Sequence, residues 1–162
     1  MKRIYLMRHG KAEDGFDQPD FERNLVTKGQ KKTKKVALYL AEKKIKPEQI
    51  LASMATRTLQ TANIVSSVLG VSNDLIKEEK NLYLASSNSI LEAIYPIDDH
   101  INEILLIGHN PGISSLATYL CNEDIDWMST SSVVAVELEI SKWTDIANGK
   151  RKLIFYTKPS DI

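Results

Sequence analysis

The chain has 162 residues and carries 21 basic and 21 acidic side chains, so its formal net charge is zero. That length fits one domain with a real core, burying roughly 70% of the unfolded surface. The charge balance argues against bulk electrostatic binding to nucleic acid or to an anionic membrane.

Met1-Lys2-Arg3 begins like a secretory leader, but the apolar run Ile4-Tyr5-Leu6-Met7 ends at Arg8 and His9. It is too short for a leader core and reads as a buried strand. No apolar run approaches the length of a membrane span, so a cytoplasmic protein with no membrane partner is expected. A polar loop runs from Glu13 to Asn24. Thr27 with Gln30 forms a capping-box signature and opens a helix to about Lys44, with Thr33, Val36, Ala37, Leu40 and Ala41 as its buried stripe. Ile50-Leu51-Ala52 is a second strand. A helix from Thr56 to Leu69 turns Leu59, Ala62, Val65, Val68 and Leu69 inward, with Gly70 as its cap.

Leu75-Ile76-Lys77 is a weak strand, Ser89 to Tyr95 a helix, and Ile104 to Ile107 a further strand. Asn110-Pro111 has the form of a helix start, a cap residue followed by proline. Ile113, Leu116, Ala117 and Leu120 then mark a buried face, and the lone Cys121 is expected to be an inert buried thiol with no disulfide partner. Val134, Val136, Leu138 and Ile140 alternate with Glu137 and Glu139, as in a strand with one wet face. Leu153 to Tyr156 would be its hairpin partner across Ala147-Asn148-Gly149. Strand and helix alternate, which predicts an α/β fold of three layers, a mostly parallel central sheet flanked by helices. With no repeat and no linker, residues 1–162 read as a single domain.

Three strand ends carry the chemistry. Arg8-His9-Gly10 closes the first strand; arginine offers a planar fork for phosphate or carboxylate, and glycine permits a turn and a close ligand approach. A neighbouring guanidinium also lowers the pKa of an imidazole and keeps it neutral and nucleophilic. Ser53-Met54-Ala55-Thr56-Arg57 follows the second strand and sets Arg57 in the first turn of a helix, where a cation opposes the dipole. That position makes sense if an anion lies between the guanidinium and the helix N-terminus. Gly108-His109-Asn110-Pro111 follows the Ile104–Ile107 strand and precedes another helix start. In open α/β sheets such strand mouths are where ligands bind, so together they predict an anion site.

These segments, in this order, resemble the histidine phosphatase superfamily, which includes the phosphoglycerate mutases. Leu6-Met7-Arg8-His9-Gly10 resembles its nucleophile motif, and Arg23-Asn24-Leu25-Val26-Thr27-Lys28-Gly29 its R-P-L-T-x-x-G segment. Ser53 to Ala62, with Arg57 and Gln60-Thr61-Ala62, resembles S-P-x-x-R-x-x-Q-T-A, and Gly108 to Pro111 resembles the second-histidine motif. The short length, Leu82-Tyr83 and the tail Trp143…Gly149…Leu153…Pro159 are similar to the SixA group of phosphohistidine phosphatases.

The resemblance implies a phosphoglycerate mutase-like fold and a His9 nucleophile that forms a phosphohistidine intermediate, with Arg8, Arg57 and His109 stabilising the phosphoryl oxygens. It implies substrate contacts from Gly10, Arg23 and Asn110. It also implies no metal and no cofactor, because the arginines neutralise the phosphoryl group. The expected partner is a phosphorylated protein or a small phosphorylated substrate, met by a monomer. Met54 and Asn24 stand where the family has proline, so both loops are expected to be looser. The region that carries a leaving-group acid in mutase-like branches is short here: Glu78 and Glu79 are candidates by position or a solvated strand edge, and a missing acid would suit phosphohistidine better than alkyl phosphoesters.

The lysines at 28, 31, 32, 34, 35, 43, 44 and 46 make the first helix strongly basic. A solvated face and a docking surface for an acidic partner are both open. Aromatic residues are not interleaved as a single-stranded nucleic-acid site would require.

Overall fold

Alternation along each apolar strand divides the side chains between two cores. The computed structural model describes residues 1–162. In β1 (Lys2–Arg8), Ile4 and Leu6 enter one core while Tyr5 and Met7 enter the other. β2 (Gln49–Ser53) and β4 (Glu103–Gly108) divide in the same way, with Leu51, Ile104 and Leu106 on the first side and Ile50, Leu105 and Ile107 on the second. A strand buried on both faces reads as a continuous apolar run, which is why these short segments could be recognised. Helices α1 (Thr27–Glu42) and α2 (Thr56–Leu69) close the second core; α3 (Ser87–Ile94) and α4 (Gly112–Cys121) close the first.

With β3 (Ile76–Glu79), β5 (Val133–Glu139) and β6 (Lys150–Thr157) the sheet has six strands in the order β3-β2-β4-β1-β5-β6. The β3–β2, β2–β4 and β4–β1 pairs are parallel, whereas β5 is antiparallel to β1 and to β6. The result is the expected three-layer α/β architecture. β1 and β4 are neighbours, yet the helix after β1 covers one face and the helix after β4 the other. Such a divergence opens a crevice at the strand carboxyl ends, and here it falls between His9 and His109.

Several local expectations are corrected. Thr27 does not cap α1: the cap position is Val26, no side chain bonds there, and the Gln30 N–H donates to the Val26 carbonyl at 3.0 Å. The helix stops at Glu42, and Lys44 turns into the left-handed region at φ 59°. α3 begins earlier than periodicity suggests because Ser86 accepts from the Ser89 N–H at 3.2 Å. Asn110 is not the cap of α4; the Asn110–Pro111 peptide is cis and the helix begins at Gly112. In β5, Val133 and Ala135 are buried as well as Val134, Val136 and Leu138, so the wet face shrinks to Glu137 and Glu139. β5 and β6 do pair, but their connection is wider than a tight hairpin and carries the fully buried Trp143.

The other expected marks are present. Gly70 caps α2, its N–H donating to Ser66 and Ser67 carbonyls, and Cys121 is buried, which pushes its thiol up to about 11. Lys2 is 1% exposed. Its ammonium donates to the Asp99 and Ile101 carbonyls at 2.7 and 2.8 Å and lies 5.0 Å from the Trp143 ring. No helix is long and apolar enough to cross a membrane.

Candidate active site

His9 steps off β1 with the ladder still intact: its N–H donates to the Gly108 carbonyl at 3.2 Å. Its Nδ1 lies 2.7 Å from the Gly10 carbonyl. A carbonyl can only accept, so Nδ1 carries the proton and Nε2 keeps its lone pair. The ring is 7% exposed. Burial is the main cause that lowers its pKa to about 4; the Gly10 hydrogen bond, next in size, opposes it, and the charges of Arg57, Arg8 and Arg23 add to the lowering. His9 is therefore a neutral imidazole whose Nε2 is unprotonated at neutral pH.

Gly10 is needed for closeness rather than for a left-handed turn. A side chain there would press on the Thr33 hydroxyl and Leu25. Its N–H donates to the Thr61 hydroxyl at 3.0 Å, and the Thr61 hydroxyl donates to the Arg57 carbonyl at 2.7 Å. Thr61 thus ties the His9 loop to the first turns of α2. Gln60 beside it accepts from the Leu25 N–H at 2.7 Å and donates to Asn24 at 2.9 Å, and Ala62 fills the core. Each member of the Gln60-Thr61-Ala62 segment has its own structural task. The loop at Asn24 is not loose: it also exchanges hydrogen bonds with Glu13. At Met54 the turn closes without proline, through the Ala55 N–H bonding to the Ser53 hydroxyl at 3.3 Å.

Arg57 is the hub. Its guanidinium is 3% exposed, donates to His9 Nε2 at 3.4 Å and lies 3.2 Å from His109 Nδ1. Since guanidinium has only donors, His109 Nδ1 accepts, and its Nε2–H faces the Ser53 hydroxyl at 2.8 Å. The imidazole centroids are 5.2 Å apart. Burial first, then His9 and Arg57, lower the His109 pKa to about 3. The chain itself places a carboxylate beside Arg57. Asp20 accepts from Arg57 through its backbone carbonyl at 2.8 Å and its carboxylate at 3.1 Å. Tyr83 also donates to that carboxylate, and its hydrogen bond, with those of Arg23 and Arg57, holds Asp20 well below the usual carboxylate range. The Tyr83 ring stands edge-on to His109 at 5.4 Å and to Phe21 at 5.0 Å.

Arg8 completes the cationic wall. It donates to the Met128 carbonyl at 3.0 Å, its Nε is buried with no partner, and burial then Arg57 lower its pKa. The remaining expected contacts are less direct. Arg23 binds the Glu13 carbonyl at 2.5 Å and Asp20 at 2.8 Å, so it reaches the histidines only through Asp20 and then Arg57. Asn110 turns its amide to Met128 at 2.8 Å and to Ser114 at 2.5 Å, which steadies the carbonyl that Arg8 uses. Glu78 and Glu79 lie on edge strand β3, and neither hydrogen-bonds a histidine.

Sequence assigned no site role to three contributors, Asp20, Ser131 and Tyr83, the last entering only through the Leu82-Tyr83 resemblance. Ser131, at φ 64° and fully buried, donates its N–H to both the Arg8 and His9 carbonyls at 3.1 Å. No group of three or more His, Cys, Asp or Glu side chains is gathered as a metal-binding set.

Neutral imidazoles and guanidinium groups thus converge at a topological switch point, an arrangement suited to holding an oxyanion. The model of the histidine phosphatase superfamily (branch 1) matches residues 4–82. A protein histidine phosphatase SixA solved with tungstate superposes with a TM-score of 0.83 at 22% identity, covering 98% of each chain. A candidate phosphohistidine phosphatase SixA from Agrobacterium tumefaciens gives 0.82 at 25% identity, again over 98% of each. An uncharacterized protein of Mycobacterium tuberculosis is 26% identical over 94% of this chain and 99% of its own. The chain has the SixA-like form of the phosphoglycerate mutase-like fold, and its N-terminal half is similar to the histidine phosphatase superfamily.

Proposed function

We propose that the protein hydrolyses phosphohistidine in a protein, through a phosphoenzyme formed on His9. One observation carries this: the Gly10 carbonyl holds the His9 proton on Nδ1, leaving the Nε2 lone pair beside Arg57. In the first step Nε2 attacks phosphorus, and the bond from phosphorus to the substrate nitrogen breaks with its electron pair leaving on imidazole. Arg8, Arg57 and His109 take the charge on the equatorial oxygens. Water then attacks the His9 phosphoramidate, releasing inorganic phosphate and restoring the lone pair. Gly10 and Asn110 shape the pocket through Thr61 and Met128, and Arg23 acts through Asp20.

The substrate class follows from the leaving group. An alkoxide needs a proton as it departs, and no carboxyl group here is placed to give one: Asp20 is held as an anion. A phosphohistidine ring that carries a proton on its second nitrogen leaves as neutral imidazole, whose conjugate acid has a pKa near neutrality, and so needs no acid from the protein.

The test is to incubate the enzyme briefly with a labelled phosphodonor and map the label. An acid-labile, alkali-stable label on His9, lost with all turnover in His9→Ala, is expected. A small sugar or nucleotide phosphate hydrolysed far faster than a histidine-phosphorylated protein would overturn the substrate assignment. Wild-type turnover by His9→Ala would overturn the mechanism.

A further inference from the structure

The solvent face of α1 is built largely of lysine. Lys28, Lys31, Lys32, Lys34 and Lys35 are all exposed, on the side of the helix away from Val36, Ala37 and Leu40. Lys43, Lys44 and Lys46 extend the basic surface past the helix end. From Thr27 to Lys46 there are eight lysines against the single acidic residue Glu42, a net +7 that the rest of this neutral chain balances with −7. None of the eight forms an ion pair; those present involve Arg3, Arg23, Arg57 and His100.

Helix stability does not explain the arrangement. Lys28 with Lys32 and Lys31 with Lys35 are like charges one turn apart, which repel. The first turn holds no acidic residue, and lysines there oppose the dipole. The location is informative. The Val26 N–H donates to the Lys11 carbonyl at 3.0 Å, and buried Gly29 packs on the Lys11 backbone. The basic ridge therefore starts beside the His9 loop and runs about 24 Å down the molecule. On the same face Leu38 is 50% exposed, flanked by Lys34 and Lys35, while the nearby Tyr39 ring is packed against Phe155. One aliphatic anchor among lysines fits a protein surface better than it fits stacked bases.

We propose that this face of α1 docks an acidic segment of the phosphoprotein substrate, steering its phosphohistidine into the neighbouring site. The inference rests on the protein-phosphohistidine assignment above. Complementary charge would act mainly on encounter, so its signature is salt dependence.

The probes are two peptides of about twenty residues, each with one phosphohistidine, one flanked by Glu and Asp and the other by Gln and Asn. At about 20 mM salt the acidic peptide should show a kcat/KM roughly tenfold higher, a preference that fades near 300 mM. Lys31→Gln, Lys32→Gln, Lys34→Gln and Lys35→Gln combined should abolish it, leaving p-nitrophenyl phosphate turnover unchanged and Tm no lower. Leu38→Gln should weaken binding of the unphosphorylated acidic peptide, measured by fluorescence anisotropy, at both salt concentrations. Equal kcat/KM for the two peptides, or a preference that survives in the quadruple variant, overturns docking while leaving phosphohistidine hydrolysis standing. If the acidic peptide binds in a lysine-dependent way but neither is hydrolysed, docking holds and the substrate assignment falls. Tighter, lysine-dependent binding to single-stranded RNA or to phosphatidylserine vesicles also overturns it.

Discussion

Arg57 shows how much can depend on a single guanidinium. It touches both imidazoles and a carboxylate from within a nearly dry site. Replacing it with alanine should lower kcat/KM by roughly a hundredfold to a thousandfold, the usual cost of losing a preorganised charge donor. Lysine at that position should recover little, because an ammonium cannot reproduce the fork. Asp20 makes the opposite prediction. Its carboxylate competes with any oxyanion for Arg57, so Asp20→Asn should tighten inhibition by phosphate or tungstate by about fivefold, near 1 kcal/mol. Weaker inhibition would mean instead that Asp20 serves chiefly to hold Arg57 in place.

At the scale of elements, close approach of backbones fixes the position of the nucleophile. α1 meets the Lys11 carbonyl at Gly29, and a side chain there would collide with that backbone. Gly29→Ala should cost about 2–3 kcal/mol in denaturant unfolding, as overpacking does, and should reduce activity more than stability because the His9 loop must shift. Loss of stability with full kcat would show that the loop adapts freely. The strands and the four motif segments were legible in the sequence because buried strands are continuous apolar runs and because charged residues at their ends break those runs. The cap of α1 was misread, since a threonine followed by glutamine looks the same whether it stands at the cap or one residue inside. Asp20, Tyr83 and Ser131 were not legible as site residues. They come from loops without periodicity, and their part in the site depends on long-range contacts that local pattern does not encode.

The whole molecule carries two buried histidines that remain neutral when folded. Their folded pKa values, about 4 and about 3, lie below the unfolded value near 6.5. The unfolded chain therefore binds protons first as pH falls. Stability should be full above about pH 6.5 and decline progressively toward pH 4, by at most about 1.4 kcal/mol per pH unit for each histidine. Urea midpoints measured from pH 7.5 to 4.5 would show this, and replacing both rings with asparagine should flatten that part of the profile. A bound oxyanion should raise the urea midpoint at neutral pH, since it adds stability to the folded state alone.

The β1–β4 ladder has a consequence for how this molecule can change over generations. Arg8 pairs with Gly108, and the next hydrogen bond joins His9 to Gly108. The two imidazoles thus leave the sheet at the same height, and their separation is set by backbone pairing that ignores side-chain identity. Loops around the site are free to lengthen, shorten or exchange residues while that separation stays constant. An inserted or deleted residue inside either strand is a different matter, because it would turn the reacting ring to the opposite face of the sheet. Diversity should therefore accumulate at the rim of the pocket, and indels should be nearly absent from the two strands beneath it.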